Sequence, residues 1–314
     1  MFNLPRLFKK ILAGVMSLAA MFAAIGPVTF APVDAENLLL NFTVLSDTHI
    51  ATLPEQARGS LLAVGLRDMA KAQVKSDALV ITGDLTERGT AYEYDKLGGV
   101  LKTFYKTDNL LLQMGNHDIR GITYFGDWRR PYDEGENLFR AFLADTAGIV
   151  EEKIYYYKVI EGCYFVLLNT ETVENLRAGI SAAQISWIDG LLAQASGAGN
   201  PVFIFNHQPM KSIGEDAAAL MAVLQKYNGA AELFFISGHK HNGFSADTIT
   251  NDGTLYFVDM PAFGKMPDYT NRKVGSGLQV ELYEDKIIFR PRNFVQGEWI
   301  ADCERTIGLV DGND

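Results

Sequence analysis

Buried-strand patterns and amphipathic-helix patterns alternate along the chain after its first 35 residues. Short apolar runs rich in β-branched residues predict strands at 40–46, 78–83 and 109–115. Apolar residues at helical spacing predict helices over 56–75 and 91–105 between those strands. Such alternation is typical of an α/β fold, in which helices cover the faces of largely buried sheets.

The same alternation continues in the second half of the chain. Residues 153–170 predict a hairpin, and the apolar runs at 201–206 and 232–238 predict two further buried strands. Amphipathic patterns predict helices over 181–195 and 215–228, and Ser181 stands where the first of these needs an N-cap. No linker separates a second domain, so we expect a single domain over residues 36–314.

Residues 120–150 interrupt the pattern, because this stretch is polar, aromatic and rich in turn residues. We expect it to form an excursion over the surface of the domain. Four of its side chains fit either a specificity loop that stacks a base and binds phosphate or ordinary surface packing: Tyr124, Trp128, Arg129 and Arg130.

The first 35 residues have the order of a secretory signal. Three basic residues among residues 6–10 precede an apolar stretch at 11–26, and small residues at Val33 and Ala35 follow. The apolar stretch is shorter than the ~20 residues of a spanning helix. We therefore expect cleavage near Ala35, export to an extracellular, periplasmic or cell-surface location, and no stable membrane partner. An uncleaved anchor is the alternative, and it would leave the chemistry unchanged.

Composition and charge narrow the class of partner. Apolar residues make up 48% of the chain and charged residues 21%, as in soluble globular proteins. The formal net charge is −10, which disfavours long nucleic acid as a partner. A small anionic substrate therefore needs a local positive centre, which a metal can supply. The two cysteines, Cys163 and Cys303, could pair after export, but the apolar run around Cys163 favours free thiols.

Histidine is concentrated at the ends of predicted strands. All five histidines of the chain lie just past the carboxyl end of such a strand, which is the edge where open α/β sheets bind ligands. Two aspartates and an asparagine accompany them. The candidate ligands are Asp47, His49, Asp84, Asn116, His207, His239 and His241.

A cluster of this composition requires positive charge. Two carboxylates 4 Å apart repel by roughly 4 kcal/mol at an effective dielectric constant near 20, and a divalent cation reverses the sign. A tetrahedral structural zinc uses only four ligands, so seven candidates with one shared carboxylate suit two ions about 3.5–4 Å apart. Carboxylate, amide and imidazole groups suit Mn, Fe, Zn or Co without selecting among them.

Five short motifs carry these residues in a fixed order: DTH (47–49), GDLTERG (83–89), GNHD (115–118), NHQP (206–209) and GHKH (238–241). In this order the chain resembles the calcineurin-like metallophosphoesterase family, over about residues 40–263. The GDLTERG stretch is similar to the branch that holds cyclic-nucleotide and other phosphodiesterases. The resemblance implies an α/β sandwich of two packed mixed β-sheets flanked by helices.

The resemblance also implies a function. We expect an exported dimetal phosphoesterase that hydrolyses small phosphate esters with a metal-bridging hydroxide, phosphodiesters being favoured. One alternative is a phosphomonoesterase, either a nucleotidase or a phosphoprotein phosphatase. Another is a non-catalytic binding protein, which would be expected to have lost a ligand or His117, and neither is missing here.

Residue roles follow from the same resemblance. Asp47, His49 and His241 would hold the first metal, Asn116, His207 and His239 the second, and Asp84 would bridge the two. His117 is the candidate for protonating the leaving alkoxide, because imidazole titrates near neutral pH. Asp118 would either orient the His117 ring or cap a helix.

Overall fold

A computed structural model of the chain describes residues 30–52, 57–105, 107–121, 130–174, 176–197, 199–264 and 274–309. These residues form two large β-sheets packed face to face, with helices on the outer faces. This is the predicted arrangement of layers.

The helices, numbered along the chain, are α1 (Ala57–Met69), α2 (Ala91–Phe104), α3 (Asn116–Arg120), α4 (Tyr132–Ala147), α5 (Ala182–Ala195) and α6 (Ala217–Lys226). The strands are β1 (Leu40–Leu45), β2 (Ala78–Thr82), β3 (Asn109–Gln113), β4 (Tyr156–Ile160), β5 (Cys163–Leu167), β6 (Thr172–Glu174), β7 (Arg177–Gly179), β8 (Val202–Phe205), β9 (Leu233–Ser237), β10 (Ile249–Asn251), β11 (Tyr256–Asp259), β12 (Ser276–Leu282), β13 (Lys286–Asn293), β14 (Glu298–Trp299) and β15 (Arg305–Gly308).

The first sheet has the strand order β14-β13-β12-β1-β2-β3, with β15 also paired to β13. Strands β1, β2 and β3 are parallel to one another, while β12 runs antiparallel to β1. The parallel strands are joined by α1 and α2, as crossover connections require. Because those strands run in the same direction, their carboxyl ends meet at one edge.

The second sheet has the order β10-β11-β9-β8-β5-β4 and is also mixed. Strands β5, β8, β9 and β11 are parallel, and β4 and β10 are antiparallel edge strands. Alternate side chains of β8 face opposite ways: Phe203 and Phe205 enter the core between the sheets, whereas Val202 and Ile204 pack with α5 and α6. The predicted Ser181 cap of α5 is present, with the hydroxyl accepting from the Gln184 amide at 3.2 Å.

Aromatic side chains hold the two sheets together. The Phe42 ring of β1 lies 4.8 Å from the Phe165 ring and 4.7 Å from the Phe203 ring, both near edge-to-face geometry. The Gln113 amide at the end of β3 donates to the carbonyl oxygen of Phe205 at 2.8 Å. These contacts bring the carboxyl ends of β1, β2 and β3 next to those of β8 and β9.

The excursion expected over residues 120–150 is a helix in its second half. Helix α4 buries Gly135, Phe139, Phe142 and Leu143, which recur at helical spacing and pack into the core. The prediction of a surface excursion was therefore wrong over α4, because the charged residues between these positions mask a narrow apolar face.

The four side chains suggested for a specificity loop fall into two sets. Tyr124, Trp128 and Arg129 lie outside the described residues. Arg130 is buried, and its guanidinium donates to the carbonyl oxygens of Arg88 and Gly89. Arg130 therefore stabilises the loop after β2, which agrees with the packing alternative for this residue.

Residues 30–34, assigned from the sequence to the signal peptide, lie against the domain. Phe30 is buried between the rings of Phe294 and Trp299, at centroid distances of 5.7 and 5.4 Å. Its carbonyl oxygen accepts from the Gln73 amide at 2.7 Å, and the Val33 amide donates to Glu281 at 2.9 Å. Cleavage after Ala35 would remove all of these contacts.

In the described part of the chain, no helix has the length and apolar character that crossing a membrane requires. Cys163 is buried and Cys303 partly exposed, and both are free thiols.

Candidate metal centre

The backbone around the candidate ligands has an uncommon conformation. Among the described non-glycine residues, seven have a positive φ, and five of these are candidate ligands: Asp47, His49, Asp84, His239 and His241, with φ between 44° and 73°. The left-handed region is unfavourable for residues with a Cβ, and such residues concentrate at functional sites. The strand ends therefore turn in a way that aims side chains at a common point.

Two glycines make room for this convergence. A Cβ on Gly238 would lie 1.9 Å from the Ser46 hydroxyl oxygen and 2.5 Å from Asp47 Oδ2. A Cβ on Gly115 would lie 2.2 Å from Asp84 Oδ1. The GNHD and GHKH motifs thus begin with glycine because the backbone there passes directly beside a ligand carboxylate.

The side chains converge in two groups that share one carboxylate. Ligand atoms of Asp47, His49, Asp84 and His241 lie within 4.8 Å of one another, and so do those of Asp84, His207 and His239. Within the first group, His241 Nε2 lies 3.0 Å from Asp47 Oδ1 and 3.1 Å from His49 Nε2. Within the second, His207 Nε2 lies 3.2 Å from Asp84 Oδ2.

This partition matches the expected one. Asp84 belongs to both groups, as a bridging ligand would. Asn116 is buried, and its Oδ1 lies 3.5 Å from the side-chain nitrogen of Gln208, the residue after His207. The structure therefore brings the candidate side chains of five strand ends to one site, while their roles as ligands stay predictions.

The donor atoms fit cations. Asp47 Oδ1 and His207 Nε2 are buried and make no aligned hydrogen bond, although His241 Nε2 and Asp84 Oδ2 lie 3.0 and 3.2 Å from them, and such buried polar atoms are rare in folded proteins. The other carboxylate oxygens are already held: Asp47 Oδ2 accepts from Ser46 Oγ at 2.6 Å and from the His239 amide at 3.0 Å. Asp84 Oδ1 accepts from the His117 amide at 2.9 Å. Each aspartate thus presents one oxygen inward, as a ligand to divalent ions would.

The electrostatics of the cluster support the same conclusion. Burial alone lowers the pKa of His49, but contacts with Asp47 and Glu87 and the charge of Asp84 raise it to about 9. Burial also opposes protonation of His207, whose pKa the charges of Asp84 and Asp47 raise to about 9. For His239, burial and the charge of His207 lower the pKa to about 4. The buried carboxylates therefore favour positive charge at this point, and bound cations would supply it.

His117 lies beside the cluster with a defined orientation. Its Nδ1 lies 2.8 Å from the carbonyl oxygen of Glu87, so Nδ1 donates and Nε2 faces inward, 3.9 Å from Asp84 Oδ2. Burial lowers the pKa of His117 below its ordinary value. The ring is partly exposed, with 14% of its side-chain surface accessible, so a substrate oxygen can reach it.

Asp118 has different partners from those expected of an orienting group. Its carboxylate accepts from the amides of Leu85, Thr86 and Gly115 at 2.9 Å each, and from the Thr86 hydroxyl at 2.8 Å. The His117 ring is oriented by the backbone carbonyl oxygen of Glu87, not by Asp118. Asp118 thus caps α3 and joins it to the loop after β2, the second of the two roles considered. Burial and the charge of Asp84 raise its pKa to about 6.

Two cationic side chains near the site have other partners. Lys240 pairs with Asp259 at 2.9 Å and points away from the cluster. Arg88 lies 3.4 Å from Glu93 Oε1 and is about one-quarter exposed. Both side chains are therefore ion-paired, Lys240 with Asp259 and Arg88 with Glu93.

Sequence reasoning missed Glu87 and Ser46. Glu87 Oε2 lies 3.1 Å from His49 Nδ1, on the side of the ring opposite the cluster. Ser46 holds the outer oxygen of Asp47. Only their positions in the sequence could have indicated these two residues, since Glu87 follows Asp84 by three residues and Ser46 directly precedes Asp47.

A profile of the calcineurin-like phosphoesterase family matches residues 40–243. The chain belongs to this family, which confirms the resemblance and, at the level of the family, the predicted class of metal-dependent phosphoric ester hydrolases. A cAMP/cGMP dual specificity phosphodiesterase of Mycobacterium tuberculosis is 27% identical over 217 residues, 64% of this chain and 62% of the relative. A probable cyclic nucleotide phosphodiesterase of Rhodopseudomonas palustris is 26% identical over 176 residues, 54% of this chain and 57% of the relative. The match thus spans about three-fifths of these relatives.

Solved structures confirm the fold. A dimetal phosphatase from Danio rerio superposes with a TM-score of 0.60 at 15% identity, covering 87% of this chain and all of that chain. A purple acid phosphatase from yellow lupin seeds superposes with a TM-score of 0.59 at 16% identity, covering 86% of this chain and 53% of that one. The two packed mixed sheets are therefore those of known metallophosphoesterase folds.

Proposed function

We propose that the chain is an exported dimetal phosphodiesterase that hydrolyses small phosphodiesters, with cyclic nucleotides as the first substrate class to test. The observation that carries the proposal is the convergence of two ligand groups on a shared Asp84, with His117 beside them. A single metal would leave one of the groups unused.

The chain's residues define what the centre can do. Asp47, His49 and His241 would hold one ion, Asn116, His207 and His239 the other, and Asp84 both. When bound, two such ions supply an activated water and positive charge for phosphoryl oxygens. Hydrogen bonds already hold the side chains of Asp47, Asp84 and His207 in place. Ser46 and two backbone amides bind the aspartates, and the Thr82 carbonyl oxygen binds the His207 ring, which limits reorganisation during the reaction.

His117 is the proposed proton donor to the leaving oxygen. Its Nδ1–H donates to a backbone carbonyl and fixes the ring, so Nε2, the atom that faces the site, carries a proton in the imidazolium form, and that form is the proposed donor. When the P–O bond of an alkyl phosphodiester breaks, the leaving group is an alkoxide, which departs slowly unless it is protonated. A positioned imidazolium that supplies this proton therefore accelerates bond cleavage.

Two observations favour diesters with a small leaving group. The curated relatives include proteins named as cyclic nucleotide phosphodiesterases. The net charge of −10 disfavours long nucleic acid, which binds through clustered basic residues. Small phosphodiesters are the substrate class that agrees with the names of these relatives and with the acidic charge of the chain.

The experiment compares substrates with defined metals. We would strip the purified protein of metal, add back Mn, Fe, Zn or Co, and measure turnover of bis-p-nitrophenyl phosphate, p-nitrophenyl phosphate, cAMP and cGMP. The proposal expects turnover that returns with metal and is greater for the diester than for the monoester.

The outcomes separate the candidate functions. Preference for p-nitrophenyl phosphate would replace the proposal with a phosphomonoesterase. Two bound ions without turnover of any of the four compounds would favour a binding protein. Diester turnover without cyclic nucleotide turnover would keep the reaction class and exclude that substrate class.

The export proposal rests on the order of basic, apolar and small residues within residues 1–35. Fractionation of cells expressing the full chain, followed by amino-terminal sequencing of the product, tests it. Recovery of an uncleaved chain from the cytosol would contradict export.

A further inference from the structure

Glu87 and Arg58 form a buried pair directly behind His49. The Glu87 carboxylate is buried, and its Oε2 lies 3.1 Å from His49 Nδ1 and 2.5 Å from Arg58 Nη1. His49 Nδ1 is buried and makes no aligned hydrogen bond, and this carboxylate oxygen lies within hydrogen-bond distance of it. Nδ1 is the ring nitrogen that does not face the metal centre, whereas Nε2 lies 3.6 Å from both Asp47 Oδ1 and Asp84 Oδ2.

A carboxylate in this position determines how the imidazole acts. When Nδ1 donates to a carboxylate, the lone pair of the neutral ring is on Nε2, and the ring becomes a stronger ligand. Removing such a partner typically lowers metal affinity by about 10- to 100-fold. The other buried ring of the centre, His207, has only the Thr82 carbonyl oxygen at Nδ1, at 2.8 Å.

Arg58 connects this pair to the backbone. It lies in the first turn of α1, is 8% exposed, and also donates from Nη1 to the carbonyl oxygen of His49 at 3.1 Å. His49 has the left-handed φ of 45°. One guanidinium therefore contacts both the carboxylate behind the ring and the strained backbone that carries the ring.

We propose that Glu87 and Arg58 are positioning residues for the first metal, acting together to hold His49 in the orientation and tautomer that bind it. The two residues come from α1 and from the loop after β2, so they also connect those elements to the site. The proposal rests on the proposed dimetal function, and it concerns the metal held by Asp47, His49 and His241.

The test measures metal binding rather than turnover. Metal-free protein is titrated with Co²⁺, the visible absorption spectrum reports the geometry of each ion, and mass spectrometry of dialysed samples gives the metal content. The variants are Glu87→Ala, Glu87→Gln and Arg58→Met. The control is Glu281→Gln, which removes the charge of another buried glutamate, paired with Arg290 at 2.6 Å near the opposite end of the first sheet.

The expected result is selective weakening of one ion. Glu87→Ala should lower the affinity of the first ion by about 10- to 100-fold and shift its spectrum, while the second ion binds as in the wild type. Glu87→Gln keeps an oxygen that can accept from Nδ1, so it should recover part of the affinity. Arg58→Met should resemble Glu87→Ala in direction, and Glu281→Gln should bind both ions normally.

Three outcomes would overturn the proposal. Unchanged affinity for both ions in Glu87→Ala would show that His49 needs no such partner. Equal weakening of both ions, with a melting temperature below that of Glu281→Gln, would show that Glu87 acts through the fold. Wild-type protein that binds fewer than two ions would overturn the proposed function as well, which distinguishes the two failures.

Discussion

At the scale of single residues, the geometry of the cluster depends on glycines beside the candidate ligands as well as on the candidate ligands themselves. Gly238→Ala would place a methyl group 1.9 Å from Ser46 Oγ and 2.5 Å from Asp47 Oδ2. We expect about 1–3 kcal/mol of destabilisation from overpacking, together with weaker metal binding because Asp47 must move. Thermal unfolding and metal titration measure the two effects.

A matched control for this substitution lies in α5. An added Cβ on Gly190 would meet no atom within 4 Å, and the residue is exposed inside the helix. Gly190→Ala should leave metal binding unchanged and stabilise the protein by up to about 1 kcal/mol. Normal metal affinity in Gly238→Ala would show that Asp47 is less constrained than the distances indicate.

The role of His117 is also a residue-scale question. His117→Ala should lower turnover by about 10²- to 10⁴-fold, because general acid catalysis contributes on this order. The metal content should stay at two ions, because His117 is not one of the candidate ligands. Its ring contacts the Glu87 carbonyl oxygen and lies 3.9 Å from Asp84. Steady-state kinetics and metal analysis of one preparation give both numbers. Near-normal turnover at full metal content would remove His117 from the reaction.

At the scale of elements, the segment before β1 contributes to the core. Phe30 is 5% exposed and contacts Phe294 and Trp299, and the Arg292 guanidinium carbon lies 4.6 Å from its ring centroid. Phe30→Ala should therefore destabilise the protein by about 3 kcal/mol or more. A chain that starts at Glu36 should lose at least as much, because it also lacks the hydrogen bonds of residues 30–34.

Val33 provides the control for this prediction. Its side chain is 55% exposed, so Val33→Ala should change the free energy of unfolding by less than about 0.5 kcal/mol. Chemical denaturation of the three proteins and the wild type compares them directly. If the chain from Glu36 unfolds at the same denaturant concentration as the wild type, the packing of Phe30 adds nothing to stability.

At the scale of the whole molecule, metal binding should stabilise the fold. The candidate ligands come from five strand ends in two sheets, so ions that they bind only in the folded state would link both sheets. An ion at a hundredfold excess over its Kd should add about 2.7 kcal/mol to the free energy of unfolding. Thermal unfolding at increasing Mn²⁺ concentration should show a rising Tm.

Asp84→Asn is the control for stabilisation by metal, because it replaces the carboxylate that both groups share with a neutral amide. Its Tm should respond to Mn²⁺ much less than that of the wild type. A wild-type Tm that does not move while two ions are bound per chain would contradict the link between the centre and the two sheets.

Sequence patterns were sufficient to predict the layers of the fold and which side chains lie together in the cluster. Apolar runs ending in Asp, Asn or His identify both buried strands and their carboxyl ends, and parallel strands align those ends at one edge. That local rule was sufficient to select Asp47, Asp84 and His207 as neighbours, although they are far apart in the chain.

The partners that hold these residues in place depend on the tertiary structure. Asp118 and Glu87 are both acids within the motifs, yet Asp118 binds backbone amides and Glu87 faces His49. The difference depends on where α3 and the loop after β2 meet in space, which no local pattern records. The same holds for α4 and Phe30, because their burial depends on partners from distant strands that sequence periodicity does not reveal.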